Sequence, residues 1–282
     1  MKLVLEVLNH SIDYLQKKKV KDARKEAEEL IGEALGLGRM GVYLSFDKPL
    51  TDAELDKCRE WLKRRGQGEP IQYISGNHRF LSCDVTLTRD VIIPRQETEI
   101  LADKIIRTLT NRSLQGKTLW DVCCGSGCIG ISIKKALPHI HVVMSDLSAK
   151  ALEVAKENAK RNHVDIEFLE GDLLEPFANQ KTDFFVCNPP YIAESEKETL
   201  DREVRDYEPH SALFSGKTGL EFYVRLAEQL PNFLHPQALV WLEMGAGQGN
   251  EMLKIFASPK WKSRKVEQDW AGHDRFFLLE IE

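Results

Sequence analysis

The chain has 282 residues, of which 42% are hydrophobic and 29% charged, so it can bury a core as one large domain or as two unequal ones. Its formal net charge of −5 argues against a protein whose main task is to grip duplex phosphates, because such proteins usually carry a strong basic excess. No stretch approaches the ~20 consecutive apolar residues that a membrane-spanning helix needs. The six cysteines lack the spacing of a zinc site or a disulfide framework. We therefore predict a cytoplasmic, reduced protein without a metal.

The first 70 residues are predicted to be helical. Apolar residues recur every three or four positions from Leu3 to Leu15 and again from Ala23 to Ala34, which is the spacing of one helix face. Thr51 and Glu54 have the spacing of a capping box, which starts a further helix.

A break at Gly66–Pro70 separates this helical part from a strand-like stretch that runs from Ile71 to Ile93 and ends at Pro94. Its short apolar runs include Val91-Ile92-Ile93. The stretch predicts a β-hairpin that links the helical part to the rest of the chain.

Beyond about residue 97, helical and strand patterns alternate at the spacing of βαβ units, which predicts a parallel sheet in a doubly wound α/β fold. The predicted helices are Glu97–Leu109, Cys128–Leu137, Ala149–Asn162 and Gly219–Leu230. The predicted strands are Thr118–Cys123, His141–Ser145, Ile166–Glu170, Phe184–Cys187, Ala238–Glu243 and a terminal hairpin near Lys265–Glu267 and Arg275–Ile281.

A glycine-rich loop follows the first of these strands. Gly125, Gly127 and Gly130 would let backbone N–H groups and a helix N-terminus approach a ligand closely. Asp146 ends the next strand, where a carboxylate can accept both ribose hydroxyls in NAD-binding and S-adenosylmethionine-binding folds alike. The alternative is that the glycines form only a tight turn.

Asp121, which precedes the glycines, helps to distinguish these ligands. Dinucleotide-binding folds commonly have an apolar residue there, and a carboxylate at a strand end is easier to explain as the partner of a cation, because unpaired buried carboxylates are costly. Asp121 therefore favours S-adenosylmethionine, with its ammonium group near this carboxylate. The cysteines in the same loop, Cys123, Cys124 and Cys128, are predicted to be small packing residues.

The tetrapeptide Asn188-Pro189-Pro190-Tyr191 follows an apolar strand, so it is expected at the carboxyl end of the sheet beside the glycine loop. The prolines have no N–H groups, and their carbonyls remain free to accept hydrogen bonds. Asn188 adds a side-chain carbonyl, and Tyr191 offers a flat face for stacking. Such acceptors suit a planar –NH2 group, as in an amide or in adenine, and would aim its nitrogen at a sulfonium methyl group.

At these residues the sequence resembles the class I amino-methyltransferases, and most closely the HemK/PrmC family of protein-(glutamine-N5) methyltransferases, which modify peptide chain release factors. The likeness covers nearly the whole chain. The segments that carry it are Glu69–Gly76 with Arg79-Phe80, Ile93–Glu99 beside the family's "IPRPETE", Asn188–Ile192, and Gly272–Arg275 beside its closing "G-x-DR". The sequence departs from the family pattern at Cys123 and Cys124, at Gln96, and at Ser215–Gly219 where "GGxDG" is usual.

The resemblance implies a Rossmann-like methyltransferase domain at residues 96–282, a linker with a β-hairpin at 69–95, and a small N-terminal helical domain at 1–68 that helps to hold the substrate. It implies an enzyme that uses S-adenosyl-L-methionine, releases S-adenosyl-L-homocysteine, and methylates the glutamine of a Gly-Gly-Gln motif in release factors. Its implied cofactor-binding residues are Asp121, Cys123, Cys124, Gly125, Ser126, Gly127, Asp146, Asp172, Leu173 and Asn188. Its implied catalytic residues are Asn188, Pro189 and Tyr191, and its substrate-binding residues are Asn188, Pro189, Pro190 and Tyr191.

Other functions stay open at this stage. An adenine-N6 or ribosomal methyltransferase also acts on a planar amine, although the net charge of −5 and the lack of an obvious basic, aromatic-rich recognition domain disfavour nucleic acid. A glutamine methyltransferase for a ribosomal protein would share both motifs. A dehydrogenase fits the glycine spacing but not the tetrapeptide, and a non-catalytic cofactor- or partner-binding module fits poorly with intact Asn188 and Tyr191. We expect a monomer that binds no nucleic acid directly.

Overall fold

The computed structural model describes residues 2–282, and their contacts divide the chain into two compact units. The α-helices are α1 (Val4–Lys17), α2 (Ala23–Ala34), α3 (Gly38–Tyr43), α4 (Asp52–Gly66), α5 (Ile71–Ser75), α6 (Gln96–Thr110), α7 (Cys128–Ala136), α8 (Ala149–Arg161), α9 (Arg202–Tyr207), α10 (His210–Leu213), α11 (Glu221–Gln229) and α12 (Gly249–Ile255). The strands are β1 (Asn77–Phe80), β2 (Cys83–Thr86), β3 (Thr118–Val122), β4 (His141–Asp146), β5 (Glu167–Glu170), β6 (Thr182–Cys187), β7 (Leu234–Glu243), β8 (Trp261–Gln268) and β9 (Asp274–Ile281).

The first unit is helical and contains the described residues up to Asn77 together with Asp201–Tyr207. Helices α1, α2 and α4 pack on one another around buried apolar side chains. The capping box that starts α4 is confirmed, because the Glu54 N–H donates to the Thr51 hydroxyl at 3.3 Å and the Thr51 N–H donates to the Glu54 carboxylate at 2.8 Å.

Residues 201–207 group with these helices although they come more than a hundred residues later in the chain. The buried Arg65 on α4 donates to the Glu26 carboxylate on α2 at 2.6 Å and to the Glu203 carboxylate on α9 at 2.5 Å. The division predicted from the sequence placed residues 201–207 with the part that spans 96–282.

The second unit contains a seven-stranded sheet in the order β5-β4-β3-β6-β7-β9-β8. The pairs from β5 to β7 are parallel, while β9 runs antiparallel to both β7 and β8. The order reverses at β3, with β4 and β5 on one side of it and β6 and β7 on the other. Such a reversal opens a crevice at the carboxyl ends of the strands, where this class of fold binds ligands. The predicted doubly wound α/β fold and the terminal hairpin are confirmed.

Two predictions for the linking segment are wrong in part. A two-stranded sheet of β1 and β2 does form, but Ile71–Ser75 is a helical turn that packs on α2 and α4 rather than a strand. Tertiary burial there overrides the β-preference of the isoleucines, and Gly76 ends the turn with a positive φ of 71°. The run Val91–Ile93 forms no strand either, because the Ile93 N–H donates to the Glu208 carboxylate at 3.4 Å instead of to a neighbouring strand.

Among the described residues, no helix combines the length and the apolar character that crossing a membrane requires.

Candidate active site

A cavity of about 260 Å³ lies at the carboxyl end of the parallel sheet. The predicted site residues on its wall are Cys123, Gly125, Asp146, Asp172, Leu173, Asn188 and Pro190. Six other predicted site residues do not line the cavity, although each lies one or two positions in sequence from a residue that does. They are Asp121, Cys124, Ser126, Gly127, Pro189 and Tyr191.

The glycine loop between β3 and α7 needs its glycines for two reasons. Gly125 and Gly127 have φ angles of 54° and 78°, a left-handed conformation that is strained for other residues. A Cβ atom on Gly127 would also lie 2.6 Å from the Met144 methyl group of β4. The loop therefore runs close against the sheet and places the N-terminus of α7 beside the cavity.

Asp146 joins this loop to the end of β4. Its two carboxylate oxygens accept hydrogen bonds from the N–H groups of Gly125 and Ser148, each at 2.9 Å. Burial raises the pKa of Asp146, and these hydrogen bonds oppose the rise. Each oxygen keeps a further lone pair, so the carboxylate can accept from a ligand while it holds the loop.

Asp121 lies beneath the loop and is buried. One carboxylate oxygen accepts from the Gly130 N–H at 2.8 Å, and the other has no hydrogen-bond partner among residues 2–282. Burial raises the pKa of Asp121 to about 7. A buried acceptor without a partner is unfavourable unless a ligand supplies the missing donor.

Asp172 and Leu173 form another part of the cavity wall, directly after β5. The Arg225 guanidinium on α11 donates to Oδ2 of Asp172 at 2.7 Å. Leu173 is buried and has a positive φ of 49°. Together these residues give the cavity a carboxylate beside an apolar surface.

The tetrapeptide at residues 188–191 follows β6, which pairs with β3 on one side and β7 on the other. Its far end is held in place, since the Tyr191 carbonyl accepts from the Gln248 side chain at 3.0 Å and Ile192 bridges to Phe214. Among residues 2–282, neither the Asn188 side chain nor the Pro189 carbonyl has a hydrogen-bond partner. Two adjacent acceptors therefore lack a partner within residues 2–282, and one of them, the Asn188 side chain, belongs to a residue of the cavity wall.

Four of the cysteines lie in the glycine loop, at the start of α7 or at the end of β6. Cys123 has a positive φ of 60° and lines the cavity, whereas Cys124, Cys128 and Cys187 are buried. Burial raises the pKa of these three buried thiols, which disfavours the reactive thiolate. All six cysteines are free, and no cluster of His, Cys, Asp or Glu among the described residues has the geometry to hold a metal ion.

Glu243 is a buried carboxylate near the site that was not among the residues predicted from the sequence. It ends β7, next to β6, and its buried carboxylate has one oxygen without a hydrogen-bond partner among the described residues. Burial raises the pKa of Glu243 to about 7, and its charge adds to the effect of burial in raising the pKa of Tyr191. The available signal was an acid at the end of an apolar strand, as at Asp121 and Asp146. The cavity wall also includes residues for which the sequence offered no signal: Asp90, Val91, Ile92, Leu147, Ser148, Ala151, Gly171, Ser211, Ala212 and Phe222.

Comparison with known proteins supports the resemblance. The family model described as the PrmC N-terminal domain matches residues 6–76, and the one described as the methyltransferase small domain matches residues 95–205. A 16S rRNA methyltransferase of T. thermophilus, solved in complex with AdoMet and guanosine, shares the fold with a TM-score of 0.53 at 13% identity, over 73% of this chain and 50% of that one.

Two curated relatives are similar over nearly their full length. A release factor glutamine methyltransferase of Geobacter sulfurreducens is 39% identical over 272 residues, which cover 96% of this chain and 94% of that protein. One from Chlamydia trachomatis is 38% identical over 275 residues, covering 98% and 93%. The dehydrogenase alternative is thereby excluded, and the chain belongs to the release factor glutamine methyltransferase family.

Proposed function

We propose that the protein transfers a methyl group from S-adenosyl-L-methionine to the side-chain amide nitrogen of the glutamine in the Gly-Gly-Gln motif of peptide chain release factors, and so tunes translation termination in the cytoplasm. The observation that carries the proposal is the pair of available acceptors, the Asn188 side chain and the Pro189 carbonyl, beside the cavity. The family relationship supports the choice of substrate, because the relatives are named for it.

The residues of the site fit S-adenosyl-L-methionine. The unpartnered oxygen of Asp121 would accept from the ammonium group, and Asp146 would accept from the ribose hydroxyls while it holds the Gly125 N–H. The positive φ angles of Gly125 and Gly127 allow the backbone to come close to the ligand. When bound, the cofactor supplies an electrophilic methyl group on a positively charged sulfur.

The tetrapeptide at residues 188–191 would bind and orient the target amide. A glutamine amide is a poor nucleophile because its nitrogen lone pair is delocalised into the carbonyl group. Asn188 and Pro189 would accept the two amide hydrogens, which orients the nitrogen and stabilises the positive charge that develops on it during transfer. Tyr191 would pack against the side chain of the target. As the nitrogen takes up the methyl group, the S–CH3 bond breaks and the sulfur leaves as a neutral thioether, and the methylated nitrogen then loses one of its two hydrogens as a proton to water. Catalysis would therefore come from positioning and electrostatics, without a side chain acting as general base before the transfer.

The direct test is methylation of a purified release factor by the protein and S-adenosyl-L-methionine, followed by mass spectrometry of the peptide that contains Gly-Gly-Gln. We expect one methyl group on the glutamine, and none when that glutamine is replaced by asparagine. Ribosomal proteins and adenine-containing RNA and DNA serve as competing substrates. Methylation of one of these, with the release factor left unmodified, would contradict the proposal and support the corresponding alternative.

Asp121 predicts a pH dependence of cofactor binding. Because the pKa of Asp121 is raised to about 7, its carboxyl group is mainly neutral below that pH in the free protein and mainly charged above it. An ammonium group binds the charged form, so the affinity for S-adenosyl-L-homocysteine should rise by about tenfold between about pH 6 and about pH 8, with proton release at the lower pH. Calorimetry in buffers of different ionisation enthalpy measures both effects.

Two variants isolate the contribution of Asp121. The Asp121→Asn variant should lose this pH dependence, whereas Glu243→Gln should keep it, although the pKa of Glu243 is also raised to about 7. An Asp121→Asn variant that titrates like the wild type would show that Asp121 does not lie near the ammonium group.

The helical unit is proposed to contribute to recognition of the release factor, through a surface that comprises Met40 on α3 and Leu44 directly after that helix. Met40 and Leu44, one helical turn apart, are 73% and 83% exposed. The helix is held in place because Arg39 donates to the buried Glu28 carboxylate at 2.9 Å and Tyr43 donates to the same carboxylate. Exposed apolar side chains on a fixed element are typical of protein-binding surfaces.

Replacing both Met40 and Leu44 by serine should raise KM for an intact release factor by about tenfold, the usual scale for interface hot spots. The activity on a short Gly-Gly-Gln peptide should not change. Trp270→Ser, which removes a side chain that is 79% exposed on a turn of the other unit, is the matched control. An unchanged KM for the intact factor in the double variant would exclude this surface from docking.

A further inference from the structure

Arg225 connects two parts of the cavity wall. Its guanidinium donates to Oδ2 of Asp172 at 2.7 Å. One helical turn earlier on α11, Phe222 lines the same cavity, and the guanidinium carbon of Arg225 lies 5.8 Å from the centre of its ring. Arg225 itself does not line the cavity, so we expect it to act on a ligand through these two residues.

Asp172 has no role in the proposed contact with the ribose. The cavity wall carries three carboxylates, of which Asp146 is tied to the glycine loop and Asp90 accepts from the Thr88 hydroxyl at 3.2 Å. Asp172 lies instead beside the apolar Leu173 and shares its wall with Phe222. A planar aromatic ring that packs a face on apolar side chains and carries a hydrogen-bond donor at its edge suits this part of the wall. The adenine of the cofactor has both features, with its 6-amino group as the donor.

We propose that Arg225 is a positioning residue that fixes the Asp172 carboxylate for a hydrogen bond from the 6-amino group of adenine, an inference that rests on the proposed use of S-adenosyl-L-methionine. The Asp172 side chain is 33% exposed and would rotate freely without a partner. Arg225 occupies Oδ2, and Oδ1 has no hydrogen-bond partner among residues 2–282. The ion pair thus leaves one oxygen for the ligand and reduces the entropy that binding must remove.

The test compares two ligands by calorimetry, S-adenosyl-L-homocysteine and its purine counterpart, which lacks only the 6-amino group. The wild-type protein should bind the purine counterpart about tenfold more weakly, the scale for losing one hydrogen bond to a charged group. The Arg225→Met variant should bind S-adenosyl-L-homocysteine about fivefold more weakly, the scale for ordering one rotating side chain, and should bind the purine counterpart as the wild type does. Arg225→Lys should show the same selective loss to a smaller degree.

A matched control is Arg107→Met. Arg107 forms an ion pair of the same length, 2.7 Å, with Asp103 on α6, and neither residue lines the cavity, so this variant should bind both ligands as the wild type does. If Arg225→Met weakens both ligands equally, Arg225 supports the wall as a whole and the inference is wrong. The inference is also wrong if Arg225→Met binds both ligands as tightly as the wild type does. A wild-type protein that binds both ligands equally well would overturn the inference alone, whereas one that binds neither would overturn the proposed function as well.

Discussion

Replacing Asn188 by alanine is expected to lower the turnover of release factor methylation by about a hundredfold or more, the usual effect of removing one oriented contact to the transition state. The Asn188 side chain lines the cavity and has no hydrogen-bond partner among the described residues, so its loss breaks no hydrogen bond of the fold. The measurement is single-turnover methyl transfer with both substrates saturating, which separates chemistry from binding.

The affinity of this variant for S-adenosyl-L-homocysteine, measured in parallel, should change much less than its turnover. Asn188→Asp is an informative companion, because it keeps an acceptor oxygen while it replaces the amide by a charge. Near-normal turnover of Asn188→Ala at saturating substrate would show that the side chain does not hold the target amide.

The Asp146→Ala variant is expected to lose about 1.5–3 kcal/mol of binding free energy for the cofactor, which corresponds to a ten- to more than hundredfold weaker affinity. The carboxylate is proposed to accept from the ribose hydroxyls, and it also accepts from the Gly125 N–H at 2.9 Å. Its removal would therefore take away ligand contacts and one restraint on the glycine loop. Calorimetry with S-adenosyl-L-homocysteine measures the loss.

Asp183→Ala is a control for the general effect of removing a carboxylate that accepts a backbone hydrogen bond. Asp183 also accepts a backbone hydrogen bond, from the Thr118 N–H at 3.0 Å, and pairs with Lys117, but it does not line the cofactor cavity. Its removal should leave the affinity for the cofactor unchanged. An Asp146→Ala variant that folds normally and binds like the wild type would remove Asp146 from the site.

The sequence alone determined the fold class because hydrophobic periodicity reports burial directly. Strands and helices alternate from β3 onward, and the chain order of such units restricts the topology to a parallel, doubly wound sheet. The same local signals located much of the candidate site. Glycines, prolines and carboxylates are unusual at the ends of buried strands, so their presence there indicates a binding site. This argument identifies Asp121, Asp146 and Asn188–Tyr191 as candidates.

The features that could not be predicted from the sequence depend on contacts between residues that are distant in the chain. Ile71–Ser75 has the composition of a strand, yet it is helical because it packs on α2 and α4. Residues 201–207 join the helical unit through Glu203 and Arg65, and no local pattern in either segment indicates the other.

The electrostatics of the site likewise depend on contacts between residues that are distant in the chain. A carboxylate is recognisable in the sequence, but only the folded chain decides whether it is buried without a partner, as one oxygen of Asp121 is, or paired with a cation, as Asp172 is with Arg225. Burial raises the pKa of a carboxyl group, whereas pairing with a cation lowers it. Both effects depend on which side chains the fold brings close to the carboxyl group. The sequence therefore indicated which groups are candidates for the chemistry, whereas the tertiary structure decided which of them are buried, which are paired and how they are oriented.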